Sequence, residues 1–283
     1  LVRSRGLGDV YKRQGPYVHE LESKIREILG VRNCIAMCNG TIALEITARA
    51  LGLSGEVIVP AFTFVATPHA LQWQEITPVF CDVDVATHSI DPEQVERMIT
   101  PRTTGIVGVH VWGRPCQVEA LADIADRHNL KLMYDAAHAF CSRHDGVMIG
   151  NFGDAEVFSF HATKFFNTFE GGAVTTNDDD LAQRIRLMHN FGFAGIDNVI
   201  YIGTNGKMSE AAAAMGLTGL EEISAFVDVN YQNYQAYQRE LAGIEGIEMH
   251  VYDEAEQGNY QYICLLYTSP SPRDRTRSRM PSS

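Results

Sequence analysis

The sequence predicts an α/β protein built on a largely parallel sheet with helices on both faces. Two observations carry this. Seven short apolar runs rich in Val, Ile and Phe alternate with stretches of helix length whose apolar residues recur every three or four positions. Strands separated by helix-length segments cannot be joined by tight hairpins, so they run mostly parallel and are covered on both sides. A third observation sets the scale. Of 283 residues 45% are hydrophobic and 20% charged, enough for one large core or two domains. No apolar run reaches the roughly 18–20 residues a membrane-spanning helix needs.

In chain order, Pro16 suits the first turn of a helix running to Gly30, with Leu21, Ile25, Ile28 and Leu29 on one face. The first strand is Ile35–Met37. Cys38-Asn39-Gly40-Thr41 follows it and leads into a helix containing Ala43, Leu44, Ile46 and Leu51. The second strand, Val57–Val59, precedes an aromatic Phe62-Thr63-Phe64; the third is Pro78–Cys81 and the fourth Ile106–His110. Gln117–His128 is a helix with Val118, Leu121, Ala122 and Ala125 inside and Glu119, Asp123 and Asp126 outside. Strands Leu130–Tyr134, Val157–Phe160 and Ala173–Thr175 follow. Helical patterns then cover Asp178–His189 and Ser209–Ala242, the second with a break expected near Gly216–Gly219. In such a sheet ligands sit where the strands' carboxyl ends open, so the residues just past each strand carry the functional reading.

The 23 Lys and Arg stand against 35 Asp and Glu, a net charge of −12. That balance argues against nucleic acid and anionic membrane as partners, since both demand a basic face. The charge is uneven: residues 1–14 and 265–283 each carry a net +3, leaving −18 on 15–264. Both ends, RSRGLGDVYKRQ and YTSPSPRD, look like translated sequencing-adapter reads. Residues 1–14 are therefore expected to be a non-native arm and 265–283 a non-native tail, neither packing on a fold that is itself a fragment. Six cysteines without a CxxC pair read as reduced and cytoplasmic. His110, His128, His144 and His189 show no ligand spacing, so no metal site is expected. Cys34 and Cys38 read as buried small side chains, and Tyr231, Tyr234 and Tyr237 as a helix packing face.

Three constellations carry chemistry. Gly40 and Thr41 at a helix start present free N–H groups and a positive dipole end, which is either a phosphate site or a simple cap beside a turn glycine. Asp135, in Tyr134-Asp135-Ala136-Ala137-His138, closes a buried strand. A carboxylate there needs a cation or donors, so it binds a metal, pairs with a protonated ring nitrogen, or caps a helix. Lys164 lies in Ser159-Phe160-His161-Ala162-Thr163-Lys164, ahead of Phe165-Phe166 and of Glu170-Gly171-Gly172. A lysine among aromatics is expected to be desolvated, which favours the neutral, nucleophilic amine. The other reading is a lysine whose stem covers apolar surface while its head reaches water.

The order of these pieces is more specific than any one of them. Gly-Thr at a helix start, Phe62-Thr63-Phe64, Asp135-Ala-Ala-His138 and Ser159-x-His-x-x-Lys164 before Glu-Gly-Gly resemble the sugar aminotransferases of the DegT/DnrJ/EryC1/StrS family. So do Val59–Thr67, Val109-His110-Val111-Trp112-Gly113 and Gly203-Thr204-Asn205-Gly206-Lys207-Met208-Ser209. The resemblance runs from Gly15 to about Cys264. It implies the pyridoxal-phosphate-dependent transferase fold type I, a mostly parallel mixed sheet flanked by helices. It also implies a large cofactor-binding domain over 15–243 and the start, at 244–264, of a small domain largely missing from this chain.

The same resemblance implies roles. Lys164 would hold pyridoxal 5′-phosphate as a Schiff base and shuttle the proton; Asp135 would pair with the pyridine nitrogen; Phe64 would stack on the ring. Gly40, Thr41 and Ser159 would hold the phosphate, His138 would lie near the ring, and His161 would stand one layer behind. Asn205 would reach the phosphate in the neighbouring subunit, which implies a homodimer with shared active sites. The implied reaction moves an amino group, from L-glutamate, to a nucleotide-linked keto-deoxysugar. Lys164 argues for transfer over sugar dehydration, because the dehydratases that resemble this family carry His there. The alternative is a non-catalytic regulatory or assembly module that retains the cofactor; such modules usually carry a fused DNA-binding segment, which the charge of 15–264 argues against.

Overall fold

The computed structural model describes residues 14–195, 197–252 and 257–267. Pro16 opens helix α1 (Pro16–Leu29), where its missing N–H costs nothing, and Gly30 closes it in the left-handed region at φ 66°. The Glu210 carboxylate accepts from the amides of Tyr17 at 3.0 Å and Val18 at 3.2 Å. It thus supplies the charge that a helix N-terminus favours.

All seven expected strands are present and form one sheet. They are β1 (Asn33–Met37), β2 (Glu56–Pro60), β3 (Thr77–Cys81), β4 (Thr103–Val109), β5 (Lys131–Asp135), β6 (Ala155–Ser159) and β7 (Gly172–Thr176). Their order across the sheet is β1-β7-β6-β5-β4-β2-β3. The run β6-β5-β4-β2-β3 is parallel, and β7 is antiparallel to both neighbours. The sheet is therefore mixed and mostly parallel. Helices α2 (Gly40–Ala50), α3 (Ala66–Gln72), α4 (Pro92–Met98), α5 (Val118–His128) and α6 (Asp179–Met188) connect or flank the strands.

Strand alternation feeds both faces. Val57 and Val59 join a core with Leu44, Ile46 and Ile185, while Ile58 between them joins Ile106, Leu121 and Tyr134 opposite. At the β1 end the second face is closed by Leu21 and Ile25 of α1 against Ala36, Phe158 and Phe160. Full burial of each such large aliphatic side chain contributes roughly 1.5–3 kcal/mol. Glu22 is buried among them yet satisfied: it accepts from Ala36 N at 2.9 Å and from Arg186 Nη1 at 3.1 Å.

Two expectations need correction. The long helical pattern divides into α7 (Glu210–Glu221) and α8 (Ile223–Leu241) at Glu222, not at Gly216–Gly219. Those glycines serve packing: a Cβ on Gly216 would lie 2.8 Å from Thr168 Cγ2 and 3.1 Å from Leu21 Cδ1, and one on Gly219 would meet Phe166 at 3.4 Å. The second concerns the tail. Leu265–Tyr267, expected to pack on nothing, form strand β9, antiparallel to β8 (Ile247–Met249). Gln14, the last residue of the expected arm, also touches the fold, its Nε2 donating to Ala36 O at 3.4 Å; residues 1–13 and 268–283, where the rest of that expectation falls, lie outside the described residues. On α8, Tyr234 is buried and packs with Tyr231 on Tyr260, whereas Tyr237 is half exposed, so only part of that stripe is a packing face.

Candidate active site

The loops after β1, β2, β4, β5 and β6 converge at the carboxyl edge of the sheet around a cavity of about 680 Å³. At one end lies the start of α2. Asn39 stands before it in extended conformation, and its side chain accepts from Ile42 N at 2.8 Å. The amides of Gly40 and Thr41, in the first turn, have no carbonyl four residues back inside the helix. Gly40 is favoured by contact: a Cβ there would lie 3.1 Å from Cβ of Ser159, tighter than an ordinary van der Waals contact. Gly172 is pinned harder, by Phe158 O at 2.7 Å and Gly40 N at 2.9 Å. The two glycines let the helix start approach the end of β6, so that both Ser159 and the α2 amides border the cavity.

Asp135 closes β5 and is 6% exposed. Its Oδ2 accepts from Thr67 Oγ1 at 2.7 Å and its Oδ1 from Ala137 N at 3.0 Å. Burial pushes its carboxyl up from the ordinary range, against those two donors and the nearby Lys164 charge. Each oxygen keeps acceptor capacity toward the cavity. His138 lies on the same loop, stacked at 19° to Trp112 and 4.3 Å from the Tyr262 ring by centroids. Its Nδ1 is buried without a partner. Burial, with Lys164 nearby, pulls its imidazole down to about 3, so the ring is neutral.

Lys164 is half-buried, between the desolvated amine and the solvent-reaching head that its sequence left open. Phe166 turns into the core against Phe140 and Phe160, and Phe169 faces solvent. The amine donates to the Tyr262 hydroxyl at 3.0 Å. Phe64 lines the same cavity with 72% of its surface exposed, an apolar face open to a planar partner. His161 bonds Thr163 Oγ1 at 2.9 Å and faces Glu170 at 3.3 Å, at the cavity's edge. Seven of the eight expected residues thus share one cavity. Asn205 does not line it: it is exposed and bridges Asn190 in an extended pair.

Thr67, Trp112 and Tyr262 escaped the sequence reading as site residues. Thr67 and Trp112 fell inside stretches that drew notice as wholes, but nothing in their spacing pointed at Asp135 or His138. Tyr262 is 98 positions from Lys164 and carried no local signal. On the opposite side of the sheet, buried His110 accepts from Cys116 N at 3.0 Å through Nδ1 and faces Glu156 at 3.4 Å. Glu119, His144 and Asp145 bring one ligand atom each within 4.8 Å of the others, a grouping their spacing hid, at a site apart from the cavity.

A family profile described as the DegT/DnrJ/EryC1/StrS aminotransferase family matches residues 6–281. The chain belongs to that family. It is 42% identical over 265 residues to the dTDP-4-amino-4,6-dideoxy-D-glucose transaminase of Shigella dysenteriae, covering 94% of this chain and 72% of the relative. It is 36% identical to the GDP-perosamine synthase of Caulobacter vibrioides, over 81% of this chain and 62% of that one. Among solved structures, DesI in the presence of its TDP-sugar product superposes with a TM-score of 0.86 at 51% identity, over 89% of this chain. The present chain spans 64% of DesI's length. Membership in the DegT/DnrJ/EryC1/StrS family places the protein among pyridoxal-phosphate-class aminotransferases whose relatives act on nucleotide-linked deoxysugars, with the fold expected of them.

The donor set of this cavity fits pyridoxal 5′-phosphate. An anion suits the α2 N-terminus and Ser159. A protonated ring nitrogen suits a buried carboxylate that burial alone would neutralise. The ring face suits Phe64, and an aldehyde suits the Lys164 amine.

Proposed function

We propose that the protein transfers an amino group from L-glutamate to C4 of a thymidine-diphosphate-linked 4-keto-6-deoxyhexose. The observation that carries this is the convergence of Lys164 and Asp135 on one cavity beside the capped start of α2. The 4-amino-sugar names of two transaminase relatives support the choice of sugar and carbon, and the TDP-sugar product of DesI supports the nucleotide. When bound, pyridoxal 5′-phosphate supplies an electron sink for the bond that breaks at the donor's Cα. Everything else falls to the chain. Gly40, Thr41 and Ser159 bind the phosphate through amides and a hydroxyl. Asp135, braced by Thr67 and Ala137, holds a proton on the ring nitrogen. Phe64 covers one ring face. Lys164 Nζ takes the proton from the donor's Cα and later returns it at the sugar carbon. Neutral His138, wedged by Trp112 and Tyr262, offers a hydrogen-bonding nitrogen without a charge that would oppose the cationic ring.

The working unit we propose is a homodimer in which Asn205 completes the neighbour's phosphate site. Exposed Phe191 and Ile202 supply apolar surface for such contact. Its six cysteines are all free, in keeping with a cytoplasmic enzyme, and among the described residues no helix is long and apolar enough to cross a membrane. The test is to load the protein with cofactor, supply L-glutamate and a dTDP-4-keto-6-deoxyhexose, and identify the product by mass. Borohydride reduction should trap the cofactor on the Lys164 peptide and not in Lys164→Ala. Trapping on Lys207, or no amine delivered to the sugar, sinks the reading; delivery only to a 3-keto isomer corrects the carbon.

A further inference from the structure

The segment around Asn259–Tyr262 lies across the site and ties its two key loops together. Asn259 Nδ2 donates to His138 O at 2.7 Å and Phe140 O at 2.9 Å, on the loop that follows Asp135. Gln261 grips the other loop: its Nε2 donates to Thr163 O at 3.2 Å and its Oε1 accepts from Phe165 N at 3.3 Å, on either side of Lys164. Tyr262 fills the space between. Its ring packs 4.3 Å from His138 and 5.9 Å from Trp112, and its backbone carbonyl sits 2.9 Å from the Tyr252 hydroxyl. Held from three sides, its own hydroxyl accepts the Lys164 amine at 3.0 Å. Among the described residues no other side chain or carbonyl accepts a hydrogen bond from that amine.

We propose that Tyr262 is a catalytic residue of this protein: its hydroxyl holds the free Lys164 amine aimed into the cavity for covalent capture of the cofactor, in which Nζ would bond to the aldehyde carbon while the aldehyde oxygen leaves as water with the two amine protons. The proposal rests on the assignment of Lys164 as the cofactor-binding lysine. A lysine amine rides on a flexible four-carbon stem, and bond formation demands that its nitrogen sit near the attack position. A fixed acceptor on a clamped ring supplies that restraint. The need recurs whenever the amine is free, both on first loading and in each half of a transamination cycle. The hydroxyl also explains how the C-terminal segment matters to chemistry at a lysine 98 positions earlier.

The decisive variant is Tyr262→Phe, which keeps the ring against His138 and removes only the oxygen. With apo-protein and pyridoxal 5′-phosphate, stopped-flow absorbance should show covalent capture slowed by about 10- to 100-fold. The Kd for pyridoxamine 5′-phosphate, which cannot form the covalent bond, should stay at the wild-type value. In the glutamate half-reaction the rate should fall while donor affinity holds. These readouts separate the proposal from the assigned reaction, because capture is measured without any sugar or turnover. Capture at the wild-type rate overturns the proposal. Equal loss of pyridoxamine 5′-phosphate affinity assigns Tyr262 a merely structural role and overturns it too. Should Tyr262→Phe not fold, 3-fluorotyrosine at position 262 keeps the shape and weakens the oxygen as an acceptor. Slowed capture then supports the proposal, and unchanged capture overturns it.

Discussion

Asp135 and His138 sit three residues apart, and burial drives both toward their neutral forms: the carboxyl is pushed up and the imidazole down to about 3. Their effects on stability oppose each other. Between about pH 6.5 and 3 the unfolded chain binds a proton at His138 that the folded chain refuses, so acid destabilises the fold. Asp135 behaves in the opposite sense: its contribution is fullest below the unfolded carboxyl range and is lost as pH rises through its raised folded value. His138→Gln should therefore flatten the fall in apo-protein melting temperature between pH 6.5 and 4; an unchanged slope would show that His138 is not buried neutral. Asp135→Asn should raise the apo melting temperature at neutral pH, because it removes a desolvated charge. The same change should lower amine transfer by about 10²- to 10³-fold, since an amide cannot hold the ring proton. A variant that loses apo stability instead would argue that the carboxylate's bonds to Thr67 and Ala137 outweigh its desolvation.

The element that decides anion binding is the junction of β1, α2 and β7. The cap at Asn39, the close approach at Gly40 and the backbone packed around Gly172 are one device. A Cβ at Gly172 would press on the carbonyl of Phe158 and the amide of Gly40, neither of which is a side chain free to swing away. Gly172→Ala should cost about 1–3 kcal/mol in denaturant unfolding, as overpacking does, and should weaken pyridoxamine 5′-phosphate binding at the same time. Stability lost with ligand affinity intact would mean that the helix start does not hold the phosphate. The sequence showed the glycines and the helix but not why both were needed, because the contact joins residues more than 130 positions apart. The same limit explains the misplaced helix break. Gly216 and Gly219 read as breakers in isolation, and only packing against Leu21, Thr168 and Phe166 shows them as helix residues chosen for smallness.

At the scale of the whole molecule, Asn205 is the test of shared sites, for it is exposed and does not line its own chain's cavity. Lys164→Ala and Asn205→Ala should each be nearly inactive alone. Unfolded together and refolded as a mixture, random pairing leaves one intact site in each mixed dimer, so activity should recover to about a quarter of wild type. No recovery, with mixed dimers demonstrated, would place Asn205 in a role confined to its own subunit.

The sequence by itself determined the strands, most helices and the residues that ring the cavity. Each is written locally: runs of Val, Ile and Phe, Pro16 before a helix and Gly30 after it, Gly40 and Thr41 at a helix start, a charged residue just past a core strand; that Asn39 and not Thr41 caps that helix came only from the structure. Their order along the chain was enough to reveal the family. Only tertiary structure decided which groups meet. Lys164 is left half-buried while Phe166, two residues on, packs into the core. Asp135 found Thr67 on a helix 68 positions earlier, and Tyr262 came to the lysine from a segment that looked like little more than the start of another domain. Periodicity reports which face of an element is buried, but it carries no term for what lies across the gap. Contact between distant residues is set by how the whole sheet is covered, and that becomes visible only once the chain is folded.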